Sequence, residues 1–169
     1  MKIGDLIKFG KYEWRVLDVQ SDRALIISEN ILAKKAYHTI NKHIAWQHSD
    51  IRKYLNDSFY NAFVPEEQAR ILKTEVKNDD NPHYNTPGGN DTTDKIFLLS
   101  IDEIRKYFAD DSARVAYGTD GDSGWWWLRS PGFAARVRVG FLSIDNYNYS
   151  YGHDVDDKYG VRPALWLKL

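Results

Sequence analysis

Between Phe133 and Tyr159 the chain runs through Tyr, Asn, Asp, Ser and Arg in close succession, the residue types best suited to making contacts. Phe133, Arg136, Arg138, Phe141, Leu142, Ser143, Asp145, Asn146, Tyr147, Asn148, Tyr149, Ser150, Tyr151, His153, Asp154, Asp156, Asp157 and Tyr159 combine aromatic anchors with hydrogen-bonding groups. Antibody paratopes use the same mixture, because tyrosine offers a large contact area at small entropic cost. Arginine adds bidentate recognition of carboxylates. Tyr147, Tyr149 and Tyr151 alternate, so an extended chain places all three on one face. The chemistry expected of this set is non-covalent ligand binding.

Other reactive side chains form weaker patterns. His38, His43 and His48 are evenly spaced, but not at an interval that aligns all three on a helix, and no His-Glu-x-x-His motif accompanies them. Asp154, Asp156 and Asp157 could offer oxygens to calcium, yet the loop follows no EF-hand pattern and lacks the Glu-Pro-Asn or Gln-Pro-Asp signature of sugar-binding lectins. Asp79, Asp80, Asn81 and Asn90 read as a solvated loop. Gly88-Gly89 belongs to neither a P-loop nor a dinucleotide fingerprint, and no spacing defines a Ser/His/Asp triad. The expectation is no catalytic residue, no metal, no cofactor, and a protein that is not an enzyme.

The elements that must hold the binding segment are strongly apolar. Trp125-Trp126-Trp127-Leu128-Arg129-Ser130-Pro131 precedes it, and Gly160-Val161-Arg162-Pro163-Ala164-Leu165-Trp166-Leu167 follows it. Consecutive tryptophans cannot share one face of a strand, so at least one lies at an edge or under a loop while the rest pack inside. Arg129 and Arg162 are expected to bond buried backbone or a carboxylate. Residues 3–28 read as a β-meander with a turn at 20–22. Ser49 is a helix N-cap ahead of the stripe Ile51, Tyr54, Leu55, Ser58 and Phe59, and Pro65 opens a second short helix. Residues 78–94 form a long loop, and a loop of that length is either mobile or used. Lys95 to Leu99 reads as a strand, Ser100-Ile101-Asp102-Glu103 as a capping box, residues 109–124 as irregular, and 134–139 and 161–167 as closing strands.

The 169 residues fit one domain spanning 1–169, with a core that needs no disulfide, since cysteine is absent. A formal net charge of -1 gives no electrostatic reason to expect nucleic acid. Apolar runs are too short for membrane insertion, and no signal peptide is visible, which leaves localisation and oligomeric state open.

Phe9-Gly10-x-Tyr12-x-Trp14-Arg15-Val16-Leu17, Trp46-x-x-Ser49-x-Ile51-Arg52-x-Tyr54-Leu55-Asn56, the Thr92 to Ser100 stretch, and the Trp-Leu-Arg-Ser-Pro-Gly and Gly-Val-Arg-Pro-Ala-Leu-Trp-Leu motifs together resemble a bacterial and phage domain family. That family is without an assigned biochemical function and is similar to the C-type-lectin and formylglycine-generating-enzyme-like group. The resemblance implies an α+β, C-type-lectin-like fold with small twisted antiparallel sheets, two or three short helices, and N- and C-terminal strands close together. Ala134, Ala135, Val137, Gly140, Gly152 and Val155 then take core and turn positions. The group's oxidase chemistry needs cysteine and does not carry over. Some of the wider group are variable proteins of diversity-generating retroelements, which places a variable ligand-binding segment at 133–159. Substituting the adenines of an AAC codon cannot yield Glu, Lys, Gln, Met or Trp, and Lys158 is the sole residue of those types in the segment. The function expected is recognition of a protein or cell-surface glycan, at a cell surface or on a phage through a larger assembly. The alternative is a structural or accessory domain that is not diversified.

Overall fold

The computed structural model describes residues 1–140 and 151–169, with Arg138 and Val139 described as backbone only. In chain order the strands are β1 (Leu6–Phe9), β2 (Tyr12–Val19), β3 (Arg23–Ser28), β4 (Ala33–Ala36), β5 (Thr74–Val76), β6 (Thr92–Asp94), β7 (Trp126–Pro131), β8 (Arg136–Gly140), β9 (His153–Asp154), β10 (Lys158–Val161) and β11 (Ala164–Lys168). The α-helices are α1 (Asp50–Tyr54), α2 (Pro65–Gln68), α3 (Ile101–Tyr107) and α4 (Asp111–Arg114). The architecture is a small α+β fold.

Two main sheets share the core. One is four-stranded and antiparallel in the order β1-β2-β3-β11; the other has five strands in the order β4-β10-β7-β8-β9. Its pairs are antiparallel except β10 with β7, which meet in parallel at Gly160 and Trp126. β5 and β6 form a small separate ribbon. The first and last strands share a sheet, at the opposite edges of its four strands. β11 pairs with β3 across five residue pairs, from Ala164–Ile27 to Lys168–Arg23.

Local signals set the helix starts. Ser49 Oγ accepts from the Arg52 amide at 3.2 Å, capping α1. The chain then widens into a π turn over Leu55–Phe59 and tightens into a 3₁₀ turn over Tyr60–Ala62, keeping Ile51, Leu55 and Phe59 buried. Pro65 opens α2, and the Ser100/Glu103 capping box closes with bonds of 2.8 and 3.2 Å. The irregular reading of 109–124 misses α4, one short turn capped by Asp110.

Lys95 to Leu99 is not a strand. Only Phe97 bridges to Ala164; the Leu99 carbonyl accepts from the Arg129 amide at 3.0 Å, and side chains take other backbone bonds of the run. Asn56 Oδ1 accepts from the amides of Lys95 and Ile96, and Arg129 Nη1 donates to the Leu98 carbonyl. Four apolar residues, Ile96 to Leu99, are thereby buried without a sheet.

Trp14, Trp46, Trp126 and Trp127 are the largest fully buried side chains. A buried, unpaired indole N–H would cost about 1–3 kcal/mol. Each is paired instead: to the Phe9 carbonyl, the Asp94 carboxylate, the Arg114 carbonyl and the Lys35 carbonyl, at 2.8–3.1 Å.

Candidate functional site

The 133–159 segment enters and leaves the second sheet beside a cluster of rings that are exposed or half-buried. Phe133 and Tyr151 stack with centroids 5.1 Å apart and planes 12° apart. Tyr84 meets both edge-on, at 5.2 and 6.0 Å. Phe133 is 41% and Tyr151 37% exposed, values that leave much of the stack open to solvent.

Backbone geometry explains the pairing. The Phe133 amide donates to the Tyr151 carbonyl, and the Gly132 amide to the Arg136 carbonyl, both at 2.8 Å. A Cβ on Gly132 would lie 2.4 Å from the Tyr151 carbonyl oxygen, so only glycine permits this approach. Ala134 adopts φ 51°, a left-handed turn that delays β8 to Arg136 and leaves Ala134 exposed. The core position the resemblance gave Ala134 is therefore corrected, whereas Val137 and Val155 are buried.

Arg136 and Asp154 are cross-strand partners on β8 and β9, with Nε 2.9 Å from Oδ1. The same guanidinium lies over the Tyr151 ring at 4.3 Å. Cation, carboxylate and ring thus fix one another along the edge of the sheet.

His153 and Tyr159 turn toward the tryptophans. The Tyr159 hydroxyl lies 3.0 Å from His153 Nδ1; the His153 ring packs on Trp125 at 4.2 Å, and Tyr159 meets Trp127 edge-on at 5.1 Å. Burial holds the His153 imidazole below its ordinary pKa, helped by the Arg136 charge and opposed by Asp157 and Asp154. Neutral His153 can then accept from Tyr159, whose own pKa is raised by burial and by Asp157 and Asp154. Trp125 is half-buried beneath this pair, while Trp126 and Trp127 are core.

Asp156 and Asp157 are exposed, and Asp156 accepts from Asn41 at 2.9 Å. His38 lies 3.0 Å from Asp50, His43 faces the Ala134 carbonyl at 3.3 Å, and His48 faces Gln47 at 2.7 Å. Among the described residues no group of three or more His, Asp or Glu could hold a metal. Phe141, Leu142, Ser143, Asp145, Asn146, Tyr147, Asn148, Tyr149 and Ser150 lie outside the described residues, as does the Arg138 side chain.

Tyr84 completes the ring cluster, and the sequence reading does not single it out. Its signal was the length of the 78–94 loop, which proves to be tied down. Asn81 donates to the Pro131 carbonyl at 2.9 Å and accepts from the Tyr84 amide at 3.3 Å, carrying the loop to the end of β7. What the assembled site can do chemically is stack an apolar ring face and offer a guanidinium beside it.

A family model described as Domain of unknown function (DUF6273) matches residues 21–169, and the chain belongs to that family. β1 and β2 precede the matched stretch yet complete its first sheet. Comparison with curated proteins and with solved structures gives no match.

Proposed function

We propose that this member of the DUF6273 family is a recognition domain of C-type-lectin-like fold that binds a protein or surface glycan and does not turn it over. The observation that carries this reading is the exposed Phe133–Tyr151 stack, edged by Tyr84 and flanked by the Arg136–Asp154 pair. Aromatic residues that stay in water beside a firmly positioned arginine are the usual anchors of an interface. The lectin-like reading draws on the helices inserted between β4 and β7, the return of the C-terminal strand to the first sheet, and the binding segment between two buried flanks. Residues 133–159 are its variable part, and display at a cell or phage surface through a larger assembly is its setting.

The test is a glycan array and a cell-surface binding assay, comparing the parent chain with Phe133→Ala/Tyr151→Ala. Binding to a defined glycan or cell surface that falls at least tenfold in the double variant, with an unchanged thermal midpoint, supports the proposal. Undiminished binding, or a large fall in the midpoint, overturns it. The second reading, an accessory domain without diversification, is favoured by the inward packing of His153 and Tyr159. Near-identical 133–159 sequences among close isolates would select it.

A further inference from the structure

Arg162 lies where the chain passes from β10 to β11, and so from one sheet to the other. Its side chain is nearly sealed, at 2% exposure. Nε and Nη2 donate to the Ser28 carbonyl at 3.1 and 3.0 Å, and Nη2 also reaches the Glu29 carbonyl at 3.2 Å. Nη1 is buried with no hydrogen-bond partner. Among the described residues no carboxylate makes an ion pair with it: Glu29, the acid beside it, is held by Arg15 through bonds of 2.8 and 2.5 Å. Trp126 lies under the guanidinium at 4.7 Å, but a ring face supplies no countercharge. Burial pushes Arg162 down to about 10, against the pull of the Glu29 charge and with help from Arg15, a value that still leaves it charged at neutral pH. An isolated buried cation costs several kcal/mol unless something completes it.

Arg162 lines a cleft of about 330 Å³ between β2 and the α3–α4 region. Arg15 and Glu29 line it as well, and Leu17, Tyr107 and Phe108 contribute apolar surface. Two arginines and one glutamate line it, an excess of one formal positive charge. The volume stands at the small end of ligand pockets.

We propose that this cleft binds a small monocarboxylate carrying an apolar or aromatic body, with the carboxylate toward Arg162 and the body against Tyr107 and Phe108. The single excess charge selects a monoanion over a dianion, and the walls select against a bare ion. The cleft shares no lining residue with the Phe133–Tyr151 patch, so the two sites stand or fall separately.

Sodium benzoate is the probe, titrated into the full chain and followed by NMR of the arginine Nε–H resonances, with benzyl alcohol and sodium phosphate as comparison arms. Saturable binding that shifts the Arg162 signal, with both comparison compounds at least tenfold weaker, supports the proposal. Ala113 is exposed on the rim, and Ala113→Trp should weaken benzoate at least tenfold without moving the thermal midpoint. Arg162→Met should abolish binding if it folds; if it does not, the rim variant decides. Absence of saturation, equal binding of benzyl alcohol or of phosphate, or full binding by a folded Ala113→Trp would each overturn the proposal.

Discussion

Two arginine–carboxylate pairs on the β7–β8 hairpin, one midway along β7 and one at the start of β8, show how differently one chemistry is used. Arg129 is shut inside, at 3% side-chain exposure, and holds Glu103 through bonds of 2.5 and 3.0 Å while also donating to the Leu98 and Lys77 carbonyls. Arg136 makes its 2.9 Å contact with Asp154 in the open, at 31% and 39% exposure, and spends its face on Tyr151. The first pair ties the sheet to α3 and to the entrance of the 78–94 loop. The second stiffens a surface. Burial separates the two: the sealed Arg129 is matched by a carboxylate of the fold, whereas the wet Arg136 keeps part of its surface free for something else.

The strongest way to break the contrast is Glu103→Ala. It leaves Arg129 buried without its carboxylate and also removes the reciprocal bond to the Ser100 amide. Losing one partner of a buried pair costs about 3–5 kcal/mol, and the lower end applies because Glu103 is itself 30% exposed. In a chain of this size each kcal/mol moves the midpoint by about 2–4 °C. A chemical-denaturation series should therefore show a large loss for Glu103→Ala and a smaller one for Glu103→Gln, which keeps an acceptor. Equal, negligible losses would mean that α3 does not depend on this pair.

A gentler effect comes from His153, between the tryptophans and the open arginine. Its folded pKa lies below the ordinary 6.5, so the unfolded chain binds the proton more readily. Stability from this group is present above 6.5 and is lost as pH falls through 6.5 toward the folded value. Protonation also removes the acceptor that Nδ1 offers to Tyr159. Midpoints measured from pH 8 down to 5 should decline more steeply in the parent than in His153→Phe. Parallel curves would show that the imidazole titrates alike in both states.

Much of the closed region was legible. Ser49, Pro65 and the Ser100–Glu103 box announce helix starts because capping is local chemistry, readable within four residues. Arg129 and Arg162 sit in strongly apolar motifs, which points to bonds with buried backbone or a carboxylate, and Arg129 makes both. The Lys95–Leu99 reading fails for the opposite reason: a buried β-like run is a strand only if a neighbour pairs along it, and here single contacts with β11 and β7 alternate with bonds to the Asn56 and Arg129 side chains. The parallel contact of Gly160 with Trp126 and the arrival of Tyr84 beside Phe133 are long-range outcomes, and no periodicity in a single stretch encodes them. The resemblance gives Ala134 a core position, and it misses because the φ of 51° belongs to the turn that brings Phe133 against Tyr151.

The smallest stability effect belongs to Arg136→Ala, and that smallness is what separates a surface built for contact from one built for support. An exposed ion pair contributes about 0.2–1 kcal/mol, and the ring contact adds about 0.5–1 kcal/mol at a wet site. The midpoint should therefore move by only a few degrees, well short of Glu103→Ala. On the recognition reading binding responds differently, because Arg136 holds the Tyr151 ring and offers the positive charge beside it. Arg136→Lys keeps the charge but loses the planar face, so on the recognition reading it should recover stability and not affinity. If lysine restores both, the charge alone matters and the ordered ring stack is incidental. If alanine lowers the midpoint as far as Glu103→Ala does, the open pair is as structural as the closed one.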